Sequence, residues 1–184
     1  MKTERVLSLL RIVAWVVYIG AIIRAVLMTV VIVRSFFLPE KFNFLNENAA
    51  TMDSLPINQS GMVLLVVSLS FSIMVLYIQL WEKVKNLLTE INLNNPFTMQ
   101  VASQLLNTSY VLLSIWIISF IGKNYSHYLH KRVPEIGSVV RSLDPDLTGF
   151  DASGVYLLAA GIVYIIAQVF RRGVELQQEN ELTI

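Results

Sequence analysis

At 184 residues the chain has the length of one ordinary soluble domain, but 55% of it is hydrophobic and its mean hydropathy is +0.61, too apolar for that class. Fourteen basic and 13 acidic side chains leave a net charge of +1, which gives no field to recruit nucleic acid or to steer an anionic substrate from a distance. The absence of cysteine excludes disulfides, a thiolate nucleophile and Cys-ligated zinc or iron–sulfur clusters.

The charges are segregated. Residues 12–33, 61–81, 103–122 and 152–170 make up 82 positions and carry one of the 27 charged side chains, where even spreading would place about 12. A helix rises about 1.5 Å per residue and the hydrocarbon layer is about 30 Å thick, so some 20 apolar residues cross it. The fold class expected is therefore an all-α integral membrane protein with four transmembrane helices, a single domain over residues 1–184.

In chain order, the first span runs over about residues 12–33. Met1-Lys2-Thr3-Glu4-Arg5 ahead of it resembles the start of a signal peptide, but Arg11 interrupts the run and no paired small residues mark a cleavage site. An uncleaved span is expected. Span two covers about 61–81 and is free of charge. After it, Val84, Leu87, Leu88 and Ile91 recur at helical spacing, with Glu82, Lys83, Lys85 and Glu90 off that stripe. This predicts a short amphipathic juxtamembrane helix between spans two and three, continuing span two at the membrane surface or packing on the bundle as an ordinary connector.

Span three is placed at about 96–122, because no charge occurs from Ile91 to Gly122 and Asn95-Pro96 reads as an N-cap followed by proline in the first helical position. Span four, about 152–170, stops at Arg171-Arg172 and leaves a charged tail over 171–184. Residues 34–60 and 123–151 form the longer connections. Lys and Arg number 7 in 46 residues on the side of the termini and 6 in 56 on the other, which favours both termini in the cytoplasm.

Arg24 stands out within this pattern. Arg11, Arg24 and Arg34 leave no 20-residue charge-free window before Glu40, so no redrawing of span one removes the charge. The remaining spans hold no Asp or Glu to pair with it. They do carry polar or small residues at helical spacing: Gly61, Ser68, Ser72 and Gln79 in span two, Ser103, Asn107 and Ser114 in span three, and Gly154, Gly161 and Gln168 in span four. The candidate intramembrane polar site is Arg24 with Ser72, Ser114 and Gln79, in a polar bundle interior. It reads either as a contact for an anionic group or a partner helix, or as an arginine bonded to helix carbonyls and trapped water.

Other motifs carry less. His127 and His130 form H-x-x-H without a third ligand at metal-binding spacing. Asp144-Pro145-Asp146-Leu147-Thr148-Gly149 resembles the start of a calcium loop, but its twelfth position is Val155 where a bidentate Glu is required. No nucleophile elbow, zinc-protease motif, phosphate loop or dinucleotide fingerprint occurs, so catalysis, metal and cofactor are not expected.

The opening of span three, Asn95-Pro96-Phe97-Thr98, and the ending Phe170-Arg171-Arg172-Gly173-Val174-Glu175-Leu176-Gln177-Gln178-Glu179-Asn180-Glu181-Leu182-Thr183-Ile184 resemble the bacterial membrane family known as domain of unknown function 2975. The resemblance implies a four-span inner-membrane protein, encoded beside a small helix-turn-helix regulator of the Cro/repressor type. It carries over no catalytic residue.

Two functions follow as expectations. One is a non-enzymatic regulatory module that contacts a cytoplasmic regulator protein through its tail, with Glu175, Leu176, Glu179, Asn180, Leu182 and Ile184 as contact residues. The other is a small oligomeric permease or channel for an anionic or polar solute, built on Arg24. The expected partners are the lipid bilayer, that regulator and further copies of the chain, with no direct nucleic-acid contact.

Overall fold

The computed structural model describes residues 2–37, 57–91, 97–132 and 154–181. All the regular structure among them is helical: α1 (Lys2–Phe37), α2 (Ile57–Glu90), α3 (Met99–Arg132) and α4 (Val155–Glu181). Their 36, 34, 34 and 27 residues correspond to about 54, 51, 51 and 40 Å of rise, each more than the hydrocarbon layer requires. All four are apolar enough to cross a membrane. Helices are the form such segments take because every backbone N–H and C=O then finds its partner inside the segment.

Helices α1 and α2 overrun the spans expected from hydropathy at both ends, and α3 and α4 overrun them at their C-terminal ends. Hydropathy marks the apolar stretch, whereas helix propensity and packing carry the helix on into polar sequence. The amphipathic segment after Trp81 is one such extension. It is helical and continues span two, but as part of α2 without a break through Glu82–Glu90 rather than as a separate juxtamembrane helix, and it ends where the Ile91 amide donates to Leu87 O (3.0 Å).

The start of α3 also differs. Asn95 and Pro96 lie outside the described residues, and the observed N-cap is Thr98. Its Oγ1 accepts from the Val101 amide (3.3 Å) and its carbonyl takes the first intrahelical bond, from Ala102 (3.1 Å). The connections 38–56 and 133–153, with the Asp144–Asp151 turn, fall outside the described residues, as do Leu182, Thr183 and Ile184.

The chain divides into two compact units. Unit 1 comprises Met1–Ala21, Leu76–Trp116 and Ser153–Ile184, so it holds the beginning of α1 and the end of α4 together. Its core is Leu80 of α2, Val111, Leu112 and Ile115 of α3, and Ala160 of α4, with Leu76, Tyr77, Val84, Tyr156 and Val163 packed around them. Unit 2 comprises Ile22–Val75 and Ile117–Ala152. Its buried side chains include Met28, Val66, Ile73, Met74 and Leu129.

Side-chain hydroxyls in the helices bond back to their own backbone. Thr29 donates to Ala25 O (2.8 Å), Ser68 to Leu65 O (2.8 Å), Ser70 to Val66 O (2.9 Å) and Thr108 to Gln104 O (2.8 Å). This satisfies the donor without a neighbouring helix, which is why apolar spans tolerate Ser and Thr.

Candidate functional site

The polar contacts of unit 1 concentrate where α2 ends, α3 begins and α4 leaves the apolar stretch. The last four carbonyls of any helix lack partners inside it and form the negative pole of its dipole. The last turn of α2 contains no basic residue to answer them. Arg11, from α1, does so instead: its Nε donates to Leu88 O (2.6 Å) and its Nη2 to Thr89 O (3.3 Å). A guanidinium suits this position because its fork of donors reaches two carbonyls at once.

One turn earlier on α2, the Lys85 ammonium stands 4.6 Å from the ring centroids of both Trp15 and Tyr18. Those rings, three residues apart on α1, meet edge-on at 84° with centroids 6.2 Å apart, forming two walls around the cation. Arg11, Trp15 and Tyr18 are spaced at four and three residues, so they share one face of α1, and that face is turned to the end of α2.

Across the short connection, Glu90 accepts from Gln100 Nε2 (2.7 Å) and from Gln104 Nε2, both on the first two turns of α3. No acidic residue occurs in the first turn of α3, so Glu90 brings a negative charge beside its positive pole from the preceding helix. Deeper in the core the Tyr77 and Tyr156 hydroxyls meet at 2.5 Å and join α2 to α4. Their rings lie edge-on at 6.0 Å.

The root of the α4 tail is packed as well. Phe97, just before α3, lies 5.0 Å from Phe170. A Cβ on Gly173 would sit 2.9 Å from Phe97 Cδ1, so the ring occupies the room left by the missing side chain. Val174 is buried beside it in sequence, while the next turns are charged: Arg172 pairs with Glu175 at 2.9 Å, Arg171 with Glu175 at 3.6 Å and Arg172 with Glu179 at 3.9 Å.

The residues singled out from sequence are distributed differently. Arg24 and Ser72 belong to unit 2, Gln79 and Ser114 to unit 1. Arg24 is exposed on α1, and among the described residues it has no hydrogen-bond or ion-pair partner. Ser72 donates to Ser68 O (2.8 Å) and Ser114 to Tyr110 O (2.9 Å), each on its own helix. Gln79, Ser68, Ser72, Ser103 and Asn107 are exposed in the single chain, and Ser114 is half-buried. The core of unit 1 is apolar, with Thr108 and Ser109 buried beside it.

Of the tail residues, Glu175 is half-buried in its pairing with the arginines, Leu176 and Glu179 are exposed, and Asn180 falls in the last turn of α4. His127 and His130 lie exposed near the end of α3, and among the described residues no group of three or more His, Cys, Asp or Glu could hold a metal ion.

Sequence reading assigns no contact to Arg11, Trp15, Tyr18, Lys85, Glu90, Gln100, Gln104, Tyr77 or Tyr156. One signal is available: Glu90, Gln100 and Gln104 flank a short connection and face each other once α2 and α3 form a hairpin. The others meet across about 70 residues or more and leave no local trace.

No curated protein and no solved structure matches the chain. A family model does, over residues 15–184, which includes Trp15, Tyr18, Lys85, the α2–α3 junction and the whole of the tail. The chain thus belongs to the family described as protein of unknown function DUF2975.

Proposed function

We propose that this multi-pass membrane protein is a non-enzymatic partner-binding module of the bacterial inner membrane, with both termini in the cytoplasm. The observation that supports it is the build of α4. The helix continues from Phe170 to Glu181, its root held by Gly173 against Phe97 and by buried Val174, and beyond that root Leu176 is 46% exposed among acidic side chains. A helix with a fixed root and an amphipathic continuation presents contacts at low entropic cost to a partner.

The partner suited to this reading is the helix-turn-helix regulator that the family resemblance implies. Removing residues 176–184 preserves the packed root and the spans, so the truncated chain should still insert while losing co-purification with that regulator. Co-purification undiminished by the truncation would refute the reading.

A second reading, a small oligomeric permease or channel, draws on Arg24. An exposed guanidinium within an apolar helix is a place where an anionic solute could be met. Arg24→Gln should then abolish solute flux in vesicles, and unchanged flux would remove this reading.

A further inference from the structure

The contacts of unit 1 set the level of each helix against the others. Tyr77 of α2 meets Tyr156 of α4, and Phe97 at the foot of α3 meets Phe170. Arg11 of α1 meets Leu88 and Thr89, and Glu90 meets Gln100 and Gln104. The apolar stretch of α4, residues 155–170, rises about 24 Å and is the part of that helix able to lie in the hydrocarbon layer. Residues 77–90 of α2 and the first turns of α3 therefore stand beside it, so on α2 the level of the hydrocarbon layer reaches past the charge-free stretch 61–81 that hydropathy alone marks.

At that depth the four helices differ. α1 exposes Leu9, Ile12, Val13, Val16 and Ile19, and α4 exposes Leu158, Ile162, Ile165, Ile166 and Val169. These are lipid-facing walls. α2 exposes Gln79, Glu82, Thr89 and Glu90, with half-buried Lys83 and Asn86 among them, and α3 exposes Gln100, Ser103 and Asn107, flanked by Met99 and Tyr110. On each helix these positions fall within about a third of the circumference at 100° per residue. Glu90 with Gln100 and Gln104 joins the two stripes into one polar face. Lipid tails offer such a face no hydrogen bonds.

We propose that this α2–α3 face is the contact surface for a second copy of the chain within the membrane. Copies of one membrane protein share an orientation, so the twofold axis of a dimer runs along the membrane normal and each residue meets its own level in the other copy. Amides and hydroxyls are donors and acceptors at once, so Gln79, Ser103 and Asn107 are complementary to themselves. Glu82 and Lys83 stand at one level with opposite charge, and across the axis each faces the other's counterpart twice. Glu90 is already held by the glutamines of its own copy. Small and polar residues at helix interfaces are the usual glue of association in lipid, where apolar surface gives no drive. This surface is separate from the α4 tail, and the dimer stands or falls independently of what the tail binds.

The lack of native cysteine makes the test direct. Single Gln79→Cys and Asn107→Cys variants of the full chain, in membranes and treated with a short thiol cross-linker, should run mostly as covalent dimers. Ile12→Cys and Ile165→Cys, on the apolar walls, should stay monomeric. Light scattering of the detergent-solubilised chain should give the mass of two copies, falling to one for the combined Gln79→Leu and Asn107→Leu variant, which still inserts. The proposal is overturned if cross-links form on the walls and not on the stripe, or if the leucine variant keeps the dimer mass. It is equally overturned if the Gln79→Cys and Asn107→Cys variants react with a membrane-impermeant maleimide without cross-linking, the mark of a water-lined channel.

Discussion

Single side chains in this protein act mainly by answering groups on other helices. Arg11 satisfies two of the orphan carbonyls of α2 and complements its dipole, so Arg11→Met should lower stability by about 1–3 kcal/mol, the range for a charge-assisted hydrogen bond at a partly buried site. Thermal unfolding in detergent would measure it, and an unchanged midpoint would show the contact to be worth nothing. Gly173 works by absence. Gly173→Ala should destabilise by up to about 1 kcal/mol, displacement of the Phe97 ring outweighing the helix propensity gained by alanine, and the same change in a Phe97→Ala background should stabilise by about 0.5–1 kcal/mol. Additive effects in that double-mutant cycle would break the link between the two residues. Arg24 is of the opposite kind, an exposed cation in an apolar helix. Arg24→Leu should favour membrane insertion of α1 by about 3 kcal/mol in a translocon assay, and no gain would mean that this residue does not sit in the hydrocarbon layer.

At the scale of elements, the boundaries follow from two different forces. Hydropathy marks the apolar stretch of each helix, but the helices extend further into polar sequence, and the start of α3 is set by a cap. Thr98 is such a cap, and Thr98→Ala should cost about 1 kcal/mol of stability by leaving the Val101 amide without its acceptor. A fall much smaller than this in chemical denaturation would show that water replaces the hydroxyl. The amphipathic stretch after Trp81 was legible as a helix, since apolar residues recur at i, i+3, i+4 and i+7 from Val84. That it follows on span two was legible as well, but that it keeps the axis of α2 rather than turning along the membrane surface was not, because periodicity reports a face and carries no information on whether two adjoining helical segments share an axis. The N-cap was displaced for a related reason: Asn95-Pro96 and Thr98 are both competent start signals within four residues, and local sequence does not rank them.

At the scale of the molecule, four spans place the start of α1 and the end of α4 on one side, and both lie in unit 1. With the cytoplasmic orientation proposed above, fluorescent-protein fusions to either end should fluoresce in bacteria and alkaline phosphatase fusions to either end should be inactive. An active phosphatase at both ends would invert the orientation, and at one end alone would break the span count. The candidate polar site around Arg24 was legible only as a set of residue types. Serines 72 and 114 bond to their own helices and Gln79 and Asn107 are exposed, while Thr108 and Ser109, which the spacing did not single out, are buried in unit 1. A stripe read from spacing marks one side of a helix without saying whether that side turns inward or outward.

The amino-acid sequence by itself determined that the chain crosses a membrane four times with helices, because the clearing of charge from four stretches is a transfer free energy summed locally, and each helix satisfies its backbone within itself. Only the tertiary structure decided that Arg11 closes the end of α2, that Trp15 and Tyr18 enclose Lys85, that Tyr77 meets Tyr156 and that Gly173 makes room for Phe97. Each of these pairs is separated by about 70 residues or more, and whether they touch depends on the rotation and axial shift of one helix against another. Those are set by how side chains interlock, to which hydropathy along a single strand of sequence is blind.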